Sequence, residues 1–370
     1  MPIGLYLHVP FCASKCPYCD FYSVVSTPEV WDAYTAALCN TITEQGALCN
    51  TTADTLYLGG GTPSLLGAQR LTRILRAARQ AFHVTDTAEI TLEANPGDDL
   101  AHVFAAFAAE GGNRISLGMQ ATDNTHLRTL GRRHTTEETE AAVRCAQQAG
   151  ITNISLDLML GTPHQTAANV RDAVARCTDW GATHVSAYLL KLEPGTPFGT
   201  TPPPIPNEDE TIALYHTAAE ALEQNGYRQY EISNFAHTGF ESRHNIKYWN
   251  LDPYLGLGPS AHSFFGGKRF AYPRDLSAFI AGNTPLAEND EPTAIAEGSP
   301  EEYAMLRLRL TAGLSEADFH ARYGKPLPEQ WVQRAAALPS SLITCDENGI
   351  RLTREGFLVS NAVISHLLGG

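Results

Sequence analysis

The sequence predicts an α/β fold: a partial (β/α)6-type barrel followed by a small, mainly helical, winged-helix-like C-terminal domain. Three observations predict it. Six short apolar, β-prone segments alternate with stretches of helical periodicity through the first half of the chain. The chemically unusual residues stand where those segments end, on the rim that carries the chemistry in parallel β/α folds. A polar stretch with Pro and Gly at 291–299 then separates this part from a helical tail.

In chain order, residues 3–8 form the first strand, followed by a cysteine-bearing loop and a helix over about 28–45. Residues 55–58 run into Gly59-Gly60-Gly61, and a helix covers about 68–82. Residues 89–93 precede the turn Asn95-Pro96-Gly97 and a helix near 100–110. The fourth strand, 114–117, leads into helical stretches that reach 149. Residues 153–158 and 184–189 are the fifth and sixth strands, with a helix near 167–180 between them. Thr201-Pro202-Pro203-Pro204-Ile205-Pro206 marks a surface loop. Asn207 then caps a helix with an acidic first turn that ends near Gly226. The tail shows helical patterns, a turn at Gly349 and a short strand at 350–352. The expected domains are a core barrel at 1–200, a barrel-extending segment at 201–290 and the C-terminal domain at 291–370. Winged-helix folds often bind DNA, but this one has no basic stripe, so it reads as a lid or docking surface.

With 370 residues, 43% of them hydrophobic, the chain can bury one large core and one small one. Its net charge of −14 carries no long acidic tail and argues against nucleic acid or an anionic membrane surface as a partner. No stretch reaches the ~18 apolar residues of a membrane span, so an integral membrane protein is not expected. The opening Met1-Pro2-Ile3-Gly4-Leu5 has no basic region of a leader. Clustered cysteines without a disulfide-like framework suit a reducing compartment, and the expectation is cytoplasmic.

Those cysteines are Cys12, Cys16 and Cys19, in Phe-Cys-Ala-Ser-Lys-Cys-Pro-Tyr-Cys. Three thiolates on one loop can hold three irons of a 4Fe-4S cluster and leave the fourth open to a small molecule. A Cys₃His zinc site with His8 is an alternative, although zinc knuckles usually add a second, distant pair. A ferredoxin-type carrier needs four thiolates. Cys39, Cys49, Cys145, Cys177 and Cys345 stand singly and read as packing residues or surface thiols. The triple glycine, continuing into Thr62 and Pro63, is either a tight turn or a cradle for the amino and carboxylate ends of an amino-acid-like ligand. Glu93 and Asp157 at strand ends either pair with an arginine such as Arg114 or accept hydrogen bonds from ribose hydroxyls or an ammonium group. Of Arg132 and Arg133, one could bind a carboxylate bidentately; as an isolated pair they read as a solvated face.

Four motifs occur together: Phe11-Cys12-x-x-x-Cys16-x-Tyr18-Cys19, Tyr57-Leu58-Gly59-Gly60-Gly61-Thr62-Pro63-Ser64, Glu93-Ala94-Asn95-Pro96 and Leu156-Asp157-Leu158-Met159-Leu160-Gly161-Thr162-Pro163. The chain resembles the radical S-adenosylmethionine (SAM) superfamily, over its whole length. Within it, the chain resembles the branch of oxygen-independent coproporphyrinogen III oxidase and the HemW haem chaperones. The resemblance implies a radical SAM barrel with a HemN-C-like domain. It also implies that SAM chelates the open iron through its amino and carboxylate groups, and that the cluster can donate an electron that cleaves the sulfonium to a deoxyadenosyl radical. Carried over by motif, the cofactor contacts fall on Tyr6, Tyr18, Gly60, Gly61, Thr62, Glu93, Gln120, Arg132 and Asp157, with Lys191 contacting mainly through its backbone.

Two departures separate the chain from the oxidases. Cys19 is followed by Asp20-Phe21 where the oxidases carry a fourth cysteine, and the sequence opens at the first strand where they have an extension. His244-Asn245-Ile246-Lys247-Tyr248-Trp249 matches the His-Asn-x-x-Tyr-Trp motif that the haem chaperones associate with haem. A histidine can ligate haem iron, and Tyr248 and Trp249 offer flat apolar surface. His244 is therefore the expected haem contact and His262 a second candidate, although a lone histidine beside aromatics is more often a hydrogen-bonded core residue, and His262 reads at least as readily as a hydrogen-bonded histidine in a glycine-rich turn. The resemblance implies a carrier with a 4Fe-4S cluster, SAM and haem that passes haem to an acceptor haemoprotein, such as one of the respiratory chain. A coproporphyrinogen III decarboxylase and a zinc-stapled binding module are the alternatives. The oligomeric state, a homodimer included, is left open.

Overall fold

The computed structural model describes residues 1–97, 99–283, 287–288 and 295–369; part of the expected break at 291–299 lies outside the described residues. Six strands, β1 (Ile3–Val9), β2 (Ala53–Gly60), β3 (Glu89–Ala94), β4 (Arg114–Gln120), β5 (Asn153–Leu160) and β6 (His184–Leu189), lie side by side in that order, all parallel. They run one to four residues longer than their apolar patterns, except the sixth. All seven residues of β4 are buried, as expected where helices cover both faces of a parallel sheet. Helices Pro28–Cys49, Gly67–Phe82, Leu100–Ala109, Thr136–Gln148 and Ala167–Asp179 make the crossovers. Thr135, Thr166 and Asn207 each close a capping box with the residue three positions on, which fixes where their helices begin.

The register aligns the chemistry. Val9 pairs with Gly60, Glu93 with Ser116 and Asp157 with Ser186, so neighbouring strands bring these residues side by side.

The sheet does not stop at six strands. Beyond β6, β7 (Arg228–Gln229) and β8 (Asn234–Ala236) add antiparallel pairings. On the other side β9 (Tyr254–Leu257) lies parallel to β1, followed by β10 (His262–Phe265), β11 (Lys268–Ala271) and β12 (Ala287–Glu288). These short strands carry little periodicity of their own, and pairing to a preformed edge defines them. Because β1 and β6 each take another neighbour, the six-stranded core stays open.

The C-terminal part combines helices with a three-stranded antiparallel sheet of β13 (Leu314–Ser315), β15 (Gly349–Leu352) and β14 (Ile343–Asp346). Its core is shared. Tyr303, Phe319, Trp331 and Phe357 pack in one buried cluster with Leu251, in the turn before β9, and with Tyr254 and Phe264 of the extended sheet. Arg322 donates to the Leu251 carbonyl at 2.7 Å, and Arg269 pairs with Glu302 at 2.6 Å. Among the described residues, no helix is long and apolar enough to cross a membrane.

Candidate functional site

A cavity of about 800 Å³ opens over the strands' C-terminal ends. It brings together Cys12, Cys16, Cys19, Tyr6, Tyr18, Gly60, Gly61, Thr62, Glu93, Gln120, Arg132, Asp157 and Lys191. His244 is not among its walls.

The cysteine loop leaves β1 at Val9 and is pinned at both ends. The Cys12 amide donates to the Val24 carbonyl at 3.1 Å, and the Val24 amide to the Pro10 carbonyl at 2.8 Å. Within the loop the Cys19 amide donates to the Cys16 carbonyl at 3.1 Å. All three thiols are free and half-buried. Thr62 Oγ1 lies 3.6 Å from the Cys12 sulfur and Arg132 Nη1 3.6 Å from the Cys16 sulfur, donors suited to thiolate charge.

His8 is committed elsewhere: its Nδ1 meets the Tyr6 hydroxyl at 3.0 Å and its Nε2 the Tyr22 carbonyl at 2.9 Å. Burial pushes its pKa down to about 4. Among the described residues no three His, Cys, Asp or Glu side chains gather as a single metal ion requires, so a one-zinc site with His8 lacks its donor set. None of the other five cysteines borders the cavity, so no fourth thiolate is at hand for a ferredoxin-type centre.

Gly60 sits at φ 111°, and a Cβ there would lie 2.5 Å from the His8 ring. A Cβ on Gly61 would lie 2.5 Å from the Phe11 carbonyl oxygen. The two glycines thus let β2 end against the cysteine loop while leaving backbone exposed to the cavity. Thr62 closes the turn, its amide donating to the Phe11 carbonyl at 2.6 Å and its hydroxyl accepting from Asn95 Nδ2 at 2.7 Å. Asn95 also accepts from Arg132 Nη2 at 2.5 Å, and the same nitrogen reaches the Gly118 carbonyl at 2.7 Å. Arg132 is therefore fixed in the cavity wall, whereas Arg133 is exposed.

The carboxylates sit between these groups. Glu93 accepts from the Tyr57 hydroxyl at 2.8 Å and the Gly60 amide at 3.0 Å. Asp157 accepts from the Ser116 hydroxyl at 3.3 Å. Burial pushes Glu93 up to about 7 and Asp157 up to about 6. Neither forms an ion pair with Arg114. Gln120, held at φ 65°, buries its Oε1 with no partner. Two carboxyls short of positive charge and an orphaned amide oxygen make an acceptor set that fits a ligand rich in N–H and O–H groups. SAM, with its ammonium and ribose hydroxyls, is such a ligand, and three thiols on one loop fit an iron–sulfur cluster beside it. Lys191 turns its amine out to Glu193 at 2.7 Å.

The cavity is also bordered by Tyr248, Tyr254, Ser260, His262 and Arg274. His244, expected as a haem contact, is buried beneath this floor. Its Nδ1 meets Thr55 Oγ1 at 2.8 Å and its Nε2 the Tyr248 hydroxyl at 2.7 Å, and its ring stacks on Tyr57. With both nitrogens engaged and its pKa pushed down to about 3 by burial, it supports Tyr248 rather than facing the cavity. Trp249 lies under the Arg309 guanidinium, also outside the cavity. Burial and the guanidiniums of Arg274 and Arg269 hold His262 below the usual histidine range. Sequence reading assigned no role to Asn95, although it stands in a quoted motif, and had no signal for Tyr254 or Arg274.

Comparison with known proteins fits this geometry. Residues 6–177 match the model of the radical SAM superfamily, and 297–359 that of the HemN C-terminal domain. The solved coproporphyrinogen III oxidase HemN of Escherichia coli, described as a radical SAM enzyme, shares the fold. The TM-score is 0.83 over 99% of this chain and 90% of that one, at 22% identity. A protein named heme chaperone HemW from Lactococcus lactis is 33% identical over 99% of this chain and 97% of its own. The HemW of E. coli is 33% identical, with 99% and 98% covered. The chain belongs to the HemW family of radical SAM proteins. The HemW of Mycobacterium tuberculosis, 34% identical over the whole of this chain and 95% of its own, extends the match to a further organism.

Proposed function

We propose that this chain is a haem carrier of the HemW type, which holds haem beside an iron–sulfur cluster and SAM and releases it to an acceptor haemoprotein. Cys12, Cys16 and Cys19 would hold a 4Fe-4S cluster. Gly60, Gly61, Thr62, Glu93, Gln120, Arg132 and Asp157 would hold SAM, with Tyr6 and Tyr18 shaping the wall and Lys191 bordering the mouth. A cluster held by three thiolates supplies an electron and an iron with an open position. The chain's own groups orient and shield. Arg132 and Thr62 place donors near two of the sulfurs, and the raised carboxyls of Glu93 and Asp157 gain a positive partner when the ligand binds.

The observation that carries the reading is the continuity of the cavity. One cavity carries both the acceptor-rich residues beside the cysteines and a set of aromatic rings, an imidazole and an arginine. A planar, largely apolar macrocycle with anionic side groups suits that second set of residues. The relatives named as haem chaperones span nearly the full length of the chain, which supports the same reading.

Haem titration of anaerobically reconstituted protein tests it. A saturable shift of the haem Soret band, followed by its transfer to an apo-haemoprotein, is expected. No shift in the wild-type chain overturns the reading.

A further inference from the structure

We propose that His262, and not His244, is the imidazole this chain offers to haem iron. The inference rests on the haem-carrier reading and adds to it the identity of the axial ligand.

Two histidines border the cavity, His8 and His262. Both nitrogens of His8 are spent on Tyr6 and Tyr22. His262 is exposed, and its ring has no hydrogen-bond partner among the described residues. A neutral imidazole with a free nitrogen facing a cavity is what an iron ligand requires. The competing tyrosine oxygens are occupied: the Tyr248 hydroxyl meets His244, and the Tyr254 hydroxyl accepts from Arg269 at 3.1 Å.

The backbone holds His262 in place. It opens β10, paired to Ala271 of β11. The turn before it carries Ser260 at φ 69°, an uncommon conformation for a residue with a side chain. The Ser260 amide is shared between the Tyr272 and Pro273 carbonyls, each at 3.1 Å. Strain of this kind persists where surrounding structure enforces it, and it clusters at ligand sites. Two positions past Tyr272 stands Arg274, exposed, bordering the same cavity and without an ion pair among the described residues. An arginine beside the imidazole suits the carboxylates that a porphyrin carries on its rim. Tyr248 and Tyr254 supply rings for the macrocycle's face.

The step is ligation alone. His262 would supply a ring-nitrogen lone pair to the iron in place of any water held there, with no electron exchanged.

The test is the optical and EPR spectrum of the ferric haem complex of the full chain. Wild type should show an imidazole-ligated signature. His262→Ala should lose it, and added imidazole should restore it. His262→Tyr should replace it with the charge-transfer band of a phenolate ligand. His244→Ala should keep the imidazole signature, with weaker haem retention because Tyr248 loses its support. An unchanged spectrum in His262→Ala overturns the assignment while leaving the carrier reading intact. A wild-type chain that binds no haem overturns both.

Discussion

Glu93 shows how much one side chain reveals about what the cavity is built to receive. Its hydrogen bonds from Tyr57 and Gly60 favour the anion, yet burial outweighs them and lifts the carboxyl from 4.5 to about 7. Between those values the unfolded chain has released this proton and the folded chain has kept it. The folded state then binds more protons, so ligand-free stability falls as pH rises through that window and levels off above it. The effect is roughly 3 kcal/mol for Glu93, at about 1.4 kcal/mol per tenfold change in proton affinity. Asp157, raised from 3.8 to about 6, adds a slope of the same sign at slightly lower pH. Thermal melts of ligand-free protein should therefore show a midpoint that drops between about pH 5 and pH 7, and Glu93→Gln should flatten most of it. Equal slopes in the two proteins would show that the carboxyl is solvated and ordinary. A cationic ligand removes the penalty by supplying the missing charge, so its binding should be stronger at neutral pH than at pH 5.

Elements differ in how openly the sequence declares them. The helix Glu208–Gln224 was legible because Asn207 and Glu210 carry their capping chemistry in their identities, and the structure closes both reciprocal bonds at 2.9 Å. Asn207→Ala should cost about 1 kcal/mol, read as a lower unfolding midpoint in urea with an unchanged slope. The six parallel strands were legible because strands buried on both faces are continuous apolar runs. The cysteine and glycine positions were legible because they close such runs, and the carboxylates because each interrupts one. The strands from β7 to β12 were not, since two to four residues show no period until a neighbour's edge organises them. His244 marks a different limit. Its motif spacing was visible, but spacing cannot say which face of the helix Arg243–Trp249 is turned inward. Thr55 and Tyr248, which fill its two nitrogens, lie on separate elements. Arg274 carried no signal at all, because only the fold brings that loop to the cavity mouth.

At the scale of the whole molecule the deciding feature is the buried cluster that joins Tyr303, Phe319 and Trp331 to Leu251, Tyr254 and Phe264. Trp331→Ala removes a side chain that is 1% exposed and should cost roughly 3–5 kcal/mol. Tyr254 belongs both to that cluster and to the cavity wall, so the damage should reach the cavity: haem release should quicken while iron content stays at the wild-type level. Stopped-flow transfer to an apo-haemoprotein, alongside iron analysis, reads the two separately. Unaltered release from a destabilised variant would mean that the small domain is mechanically uncoupled from the cavity. The shared seam also bears on how such a protein can be cut or grafted. A tail exchanged with a cousin at the chain boundary alone would meet the wrong apolar surface, and a working chimera would have to import the matching stretch 251–264 as well. The two parts therefore have to be moved as a pair.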